Sequence, residues 1–464
     1  MHRVGAFEVR SRKRAPGCYR RPVAAGLLLV GALLAAQARA QVYEPRGQGL
    51  VAGRFVIYPS ILLDYSRSDN IFHQSTDLPR EEIIASGASV VRPRLLVDLP
   101  LGPSRIRWLY SPLYRDYTSK SFRQSDRVSH YFDLEAVWQS ARALRIEVRD
   151  HLVRGTVELQ EVDPGGELTF GLVPFQVHEP EMTITQRFGA RQGISVIPRF
   201  GTTRFDEKGE AAFFSSRQRG LEGRYNLDLT PATRLYGFYG SDITDQDRNQ
   251  VLFRDVRSTT RSAGIGLRRT ANQRVVTSAS LGYESAEFTG GADEDFSGPV
   301  MDLSINGLMS DVLGLSVALR RQPYPSYFVN NNYYVNETGR VQFTHQIGRR
   351  VYYTVAMIAS GNVYSEPLDI AVTPETPPGL DGNGNGLVDD FESLVPSLGR
   401  RRIDRLRRAE VGAGFQFHPS VRLIVGYNLE RRRSNMDQLS RGAIIDPFGY
   451  DINVVFFRIE AGWL

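Results

Sequence analysis

After residue 40 the chain is written in one texture, and that texture limits the fold more than any motif does. Segments of about ten residues alternate apolar and polar side chains, and clusters of turn residues separate them. Leu221, Gly223, Tyr225 and Leu227 share one face of such a segment, with Glu222, Arg224, Asn226 and Asp228 on the other. Leu144–Val148, Val275–Tyr283, Met301–Ile305 and Leu423–Leu429 repeat the pattern. A period of two belongs to an extended strand, whose successive side chains point to opposite faces. No later segment reads as a spanning helix, because charged residues interrupt every apolar run. If such a chain meets lipid, it does so as a closed barrel, since only helices and closed barrels satisfy every backbone group there.

The connections alternate as well. Short ones run Leu101–Ser104, Gln139–Arg142, Gly189–Gly193, Thr230–Thr233, Thr270–Arg274, Ser310–Gly314, Ile347–Arg350 and His418–Ser420. Long polar ones lie near 66–84, 118–128, 151–180, 206–215, 243–256, 287–298, 322–333, 365–403 and 432–450. Eight short and nine long connections separate 18 strands, within a range of 16–20. The expected fold is all-β: a transmembrane antiparallel β-barrel over 55–464, with short periplasmic turns, long extracellular loops and a short periplasmic segment at 41–54. A soluble β-sandwich or propeller leaves the alternation of short and long connections unexplained.

Residues 1–40 break the texture. Arg3, Arg10, Arg12, Lys13, Arg14, Arg20 and Arg21 precede the apolar stretch Pro22–Ala36, and Ala38-Arg39-Ala40 follows as a cleavage site. This is the layout of a signal peptide, with Gln41 expected as the first mature residue and the outer membrane of a Gram-negative bacterium as the destination. The apolar stretch is shorter than the roughly 20 residues a spanning helix needs. Cys18 is the one cysteine and lies in this segment. Disulfide scaffolds, thiol catalysis and cysteine-based zinc sites are thereby excluded from the mature chain. The formal charge of +6 also originates here, because 1–40 carry eight basic residues against Glu8 and the remainder sums to −1. That balance excludes a nucleic-acid partner.

Aromatic placement agrees with a barrel. Trp108, Tyr110 and Tyr114 share one strand face, as do Phe132 and Trp138, near segment ends where interfacial girdles belong. At the C-terminus Val455, Phe457, Ile459, Ala461 and Trp463 alternate with Phe456, Arg458, Glu460 and Gly462. This ending resembles the closing-strand signal of outer-membrane proteins, with one extra residue, Leu464, after the aromatic. Outer-membrane lipid and the barrel assembly machinery are the implied partners. Near the other end, Ile57-Tyr-Pro-Ser60, Asp64-Tyr65 and Ser68-Asp-Asn-Ile-Phe72 resemble the opening of the β-barrel porin 2 family. The resemblance implies an outer-membrane barrel acting as a porin or accompanying exopolysaccharide export. It carries over no catalytic residue.

One loop holds a ligand pattern. Asp381, Asn383, Asn385, Gly386, Leu387, Asp389 and Glu392 fit D-x-[DN]-x-[DN]-G-x5-E at every constrained place. Side-chain oxygens of Asp381, Asn383, Asn385 and Asp389, the Leu387 carbonyl and a bidentate Glu392 form a calcium set. Pro374, Pro377 and Pro378 exclude the entering helix of a full EF-hand. Calcium in an EF-hand-like loop at 381–392 is the one cofactor expected, with no organic cofactor. A flexible Asn/Gly linker is the alternative.

Arginine supplies the other signal, since all basic residues but Lys13, Lys120 and Lys208 are Arg. Arg92, Arg94, Arg105, Arg107, Arg145, Arg149, Arg224, Arg320 and Arg458 fall on polar strand faces, as do Glu135, Glu147, Glu222, Asp228, Asp302, Glu430 and Glu460. Such residues either line a pore and select anions or form an Arg/acid ladder that stiffens the wall. The mature histidines are scattered, and no G-x-S-x-G, P-loop or dinucleotide fingerprint is present, so no enzyme is expected. The reading is a porin-like outer-membrane barrel for small or anionic solutes. Secretion of an anionic exopolysaccharide and a structural or adhesive surface role are the alternatives.

Overall fold

The computed structural model describes residues 49–464 apart from 72, 79–82, 120–127, 141–142, 157–164, 167–173, 206–214, 248–255, 272–273, 291–293, 327–330, 368–392, 395–400, 437, 441–442, 447 and 463–464. The expected signal peptide and the calcium loop lie outside the described residues.

Eighteen long strands form a closed antiparallel barrel. In chain order they are β1 (Phe55–Ser68), β2 (Ser86–Leu101), β3 (Ser104–Tyr117), β4 (Val128–Gln139), β5 (Leu144–Thr156) and β6 (Pro174–Phe188). They continue as β7 (Gln192–Phe205), β8 (Ser215–Thr230), β9 (Thr233–Asp247), β10 (Val256–Ala271), β11 (Val275–Thr289) and β12 (Phe296–Leu308). The last six are β13 (Leu313–Pro325), β14 (Tyr333–Ile347), β15 (Val351–Pro367), β16 (Arg401–His418), β17 (Val421–Ser434) and β18 (Tyr450–Gly462). Each pairs with its sequence neighbours, and β1 also pairs with β18 from Ser60↔Gly462 to Ser68↔Val454, which closes the ring. No helix is long and apolar enough to cross a membrane among the described residues.

The alternation of short and long connections holds all the way round. Gly102 and Gly189 sit in tight turns with φ of 66° and 68°, where a Cβ would be strained. The shortest barrel strand has 12 residues. At about 3.3 Å per residue that is roughly 40 Å, and a tilt of 35–45° still spans an apolar band of about 25 Å.

Register decides which face is which. Gly237, Ile265, Leu281 and Met301 stand in one row across β9 to β12. Ile265 is 62% exposed and Leu281 59%. Burying a side chain of this size is worth about 1.5–3 kcal/mol, so the many exposed apolar side chains on this face, Leu221, Tyr239, Ile265, Leu281 and Tyr283 among them, demand a covering apolar phase. Trp108, Tyr114 and Trp138 lie on the same outward face. On the opposite, inward face Leu113, Tyr131, Val153, Phe175, Val177 and Phe205 form a buried apolar cluster.

Three details depart from expectation. Leu50–Ala52, inside the expected N-terminal segment, is a short strand turning back onto Phe55–Ile57. The strands extend into the 151–180 loop, as far as Thr156 and from Pro174, because alternation continues through the polar residues there. In the loop expected at 365–403, Ser393–Leu394 pairs with Gln438–Leu439, and Gln438–Ser440 pairs with Ala443–Ile445. Those pairs are too short to leave a periodic signal.

Candidate functional site: the barrel lumen

The inward face follows from the same register. All nine sequence-predicted arginines stand on strand faces opposite the exposed apolar rows. Most lie beside a carboxylate. Arg105 Nε donates to Asp98 Oδ1 at 2.7 Å, and Arg107 approaches the same carboxylate at 3.9 Å. Arg145 donates to Glu147 at 2.6 Å, while Arg149 lies 3.6 Å from Glu147 and 3.8 Å from Glu181. Arg224 pairs with Glu222, which also accepts from Arg199 at 3.0 Å. Arg320 meets Asp302 at 3.3 Å, and Arg458 donates to Asp64 at 2.8 Å across the closing seam. Arg92 instead donates to Ser111 at 2.8 Å and lies 4.3 Å over the Tyr131 ring. Arg94 has an interaction as well.

This is a ladder of mixed sign. Solvent-facing pairs of this kind contribute about 0–1 kcal/mol each, so their main effect is to fix where the charges stand. Two further inward arginines differ. Arg268 is opposite Arg234 and Ser278, and Arg340 is opposite Ala318 and Ile358. Both are exposed, and neither has a carboxylate partner among the described residues. They share the parity of the other nine and were legible by the same alternation.

The sequence reading missed a second feature, a buried polar cluster at the long-loop end of β14 to β18. Asp404 accepts from Arg402 at 3.0 and 2.7 Å, from Arg432, and from Tyr364 at 3.2 Å. Arg402 lies 3.5 Å over Phe448 and 4.5 Å over Tyr364. Tyr364 tilts against Tyr334, which stacks on Tyr324. Arg402 and Arg432 also carry no ligand signature in the sequence, and Arg432 falls at the edge of an expected loop.

The cluster holds a piece of backbone from the far wall. Asn336 Nδ2 donates to the Gly165 carbonyl at 3.0 Å, and Arg432 Nη1 to the Gly166 carbonyl at 3.2 Å. Gly165 and Gly166 belong to the connection between β5 and β6, whereas Asn336 lies on β14, eight strands round an 18-strand ring. A contact between such distant walls crosses the lumen and narrows it. Only glycine fits at 165, where an added Cβ would stand 2.0 Å from the Tyr334 hydroxyl.

The calcium ligands Asp381, Asn383, Asn385, Leu387, Asp389 and Glu392 lie outside the described residues. Among the described residues no group of three or more His, Cys, Asp and Glu is placed to hold a metal ion.

No protein-family profile and no curated protein matches the chain. Solved structures similar to it include the outer membrane protein OpdK of Pseudomonas aeruginosa, at 9% identity and a TM-score of 0.43, over 88% of this chain and 99% of that one. OpdO of the same organism matches at 10% identity and a TM-score of 0.44, over 89% and 98%. The FrpB iron transporter of Neisseria meningitidis matches at 8% and 0.41, over 89% and 82%. Identity this low leaves function to this chain's own side chains.

Proposed function

We propose that the chain is a porin-like channel of the outer membrane that passes small solutes and favours anionic ones. The observation that carries this reading is the pairing of an apolar exterior with a charged, solvent-exposed interior in which Arg268 and Arg340 have no acid partner among the described residues. Unpaired guanidinium groups raise the local concentration of anions, and an alternating ladder keeps the wall wettable throughout. The backbone tether at Gly165 and Gly166 supports small solutes over a polymer, which would need that tether withdrawn. An exopolysaccharide path, with its export partners, is therefore the weaker reading, and an adhesive surface role rests on the length of the 365–403 connection alone.

Export through a signal peptide cleaved after Ala40 and insertion by the barrel assembly machinery belong to the same proposal. So does calcium at 381–392, which would draw together the carboxylates of Asp381, Asp389 and Glu392 on the exterior side.

Planar-bilayer recording under a salt gradient tests the channel. Discrete conductance steps with a reversal potential on the anion side are expected. Arg268→Glu together with Arg340→Glu should move that potential toward cation selectivity. A barrel that inserts without conducting overturns the channel, and an unchanged potential overturns the anion preference.

A further inference from the structure

The outward face of β16 and β17 carries a charge arrangement that strand pairing alone disfavours. Arg405 stands directly opposite Arg433, and Arg407 directly opposite Arg431. Like charges at directly opposed positions destabilise a sheet. The four arginines are exposed, and one carboxylate serves them. Asp451 accepts from Arg431 at 2.9 Å and from Arg433 at 3.0 Å. Arg405 and Arg407 have no ion pair among the described residues. The next carboxylate along the row, Glu337, lies beyond Gly361 and is held by Arg321.

Position matters as much as charge. One step below Arg407 and Arg431 the outward row becomes Met357, Ala409 and Leu429, followed by Val411 and Tyr427. Met357 is 62% exposed and Val411 52%, so the apolar band begins immediately beneath the arginines. Beside Arg407 and Arg405 on β15 stand Ala359 and Gly361, whose small side chains leave a shallow recess. The patch lies at the long-loop end of the strands.

We propose that this patch binds the phosphorylated headgroup of a lipid A-type glycolipid. Guanidinium groups match phosphate oxygens in bidentate fashion, and two phosphates would neutralise the opposed arginines that the protein leaves uncompensated. Acyl chains would then run down over Leu429, Val411 and Tyr427, while the sugars occupy the recess at Ala359 and Gly361. The inference rests on the outer-membrane reading, with the long loops on the glycolipid-bearing side.

Native mass spectrometry of the folded full-length barrel, titrated with hexa-acylated diphosphoryl lipid A, tests it. Arg405→Gln with Arg407→Gln should weaken binding by about tenfold or more, as should removal of both phosphates from the lipid. Arg219→Gln with Arg257→Gln is the matched control, because Asp245 already lies near both at 3.4 and 3.6 Å, and it should have little effect. Inorganic phosphate at millimolar concentration should not compete. Equal binding by the Arg405/Arg407 variant, equal binding of dephosphorylated lipid, or competition by phosphate would each overturn the site. Heat-dependent gel migration confirms that variants are folded. In detergent without glycolipid the Arg405/Arg407 variant should melt higher than wild type, through relief of repulsion, and a lower melting point would assign the arginines to strand pairing instead. A barrel that conducts normally but ignores lipid A defeats this inference alone, whereas one that fails to insert defeats the outer-membrane reading.

Discussion

Replacing Asp404 with Ala should be among the most damaging single changes in the barrel wall. Arg402, Arg432 and Asp404 are exposed by only 1%, 2% and 3%. Asp404 accepts from both guanidinium groups and from the Tyr364 hydroxyl, so its loss strands two buried cations and one buried donor. Breaking a buried ion pair from one side costs about 3–5 kcal/mol, chiefly because the remaining charge stays desolvated. The cost here should lie in the upper half of that range, since two cations lose one shared anion. Arg402→Met is the informative comparison. It leaves Asp404 paired with Arg432, keeps an apolar body against Phe448 and Tyr364, and should cost roughly half as much. Guanidinium unfolding of the barrel in lipid vesicles, followed by tryptophan fluorescence, gives both values by linear extrapolation. A cost below about 1 kcal/mol for Asp404→Ala, or an equal cost for the two variants, would refute the claim that Asp404 is the electrostatic centre of the cluster.

Gly165→Ala should raise conductance, because the new Cβ collides with a Tyr334 ring fixed between Tyr324 and Tyr364, and bilayer recording reads the effect directly. His73 packs its ring edge-on 4.8 Å from Tyr450, and burial, helped by the charges of Arg432 and Arg408, lowers its pKa from 6.5 to about 4. The unfolded segment therefore binds the extra proton between those values, so the stability of the folded segment is complete above pH 6.5 and falls as pH drops toward 4. Faster hydrogen exchange over 70–78 at pH 4.5 than at pH 7, after correction for intrinsic rates, should disappear in His73→Asn. Asn tolerates the positive φ of 55° found there without titrating. Calorimetry should detect calcium binding at roughly 0.1–1 mM in wild type and none in Glu392→Ala. Equal heats from the two proteins would make 381–392 a linker.

The barrel itself was readable because a strand buried in lipid on one face and wetted on the other must alternate, and every strand repeats that demand. Leu221–Asp228 shows its inward and outward sets in eight consecutive letters. Strand number followed from counting connections, and the inward parity of Arg105, Arg224 and Arg458 followed from period alone. The cluster around Asp404 was not readable. Its members come from β14 to β18 and from the β5–β6 connection, and nothing in Asn336 or Gly165 marks them as partners. Contacts across a lumen depend on how far a loop bends inward, which leaves no periodic trace. The opposed arginines of β16 and β17 were hidden for a related reason, since register between strands is invisible until both are placed.

The seam between the first and last strands has a consequence for assembly. Asp64 and Arg458, joined at 2.8 Å, are 394 positions apart, and bringing such distant points together costs about 5 kcal/mol of chain entropy. No partial barrel can recover that cost, because until β18 docks, β1 and β17 both present unpaired edges. The ring is thus all-or-none at its last step. A ribosome that stalls before Tyr450, or a protease that clips the final strand, leaves the preceding seventeen strands as a curled sheet with two adhesive rims, suited to aggregation rather than to partial activity. Quality control of this protein can accordingly be exercised at one place, the arrival of its C-terminal strand.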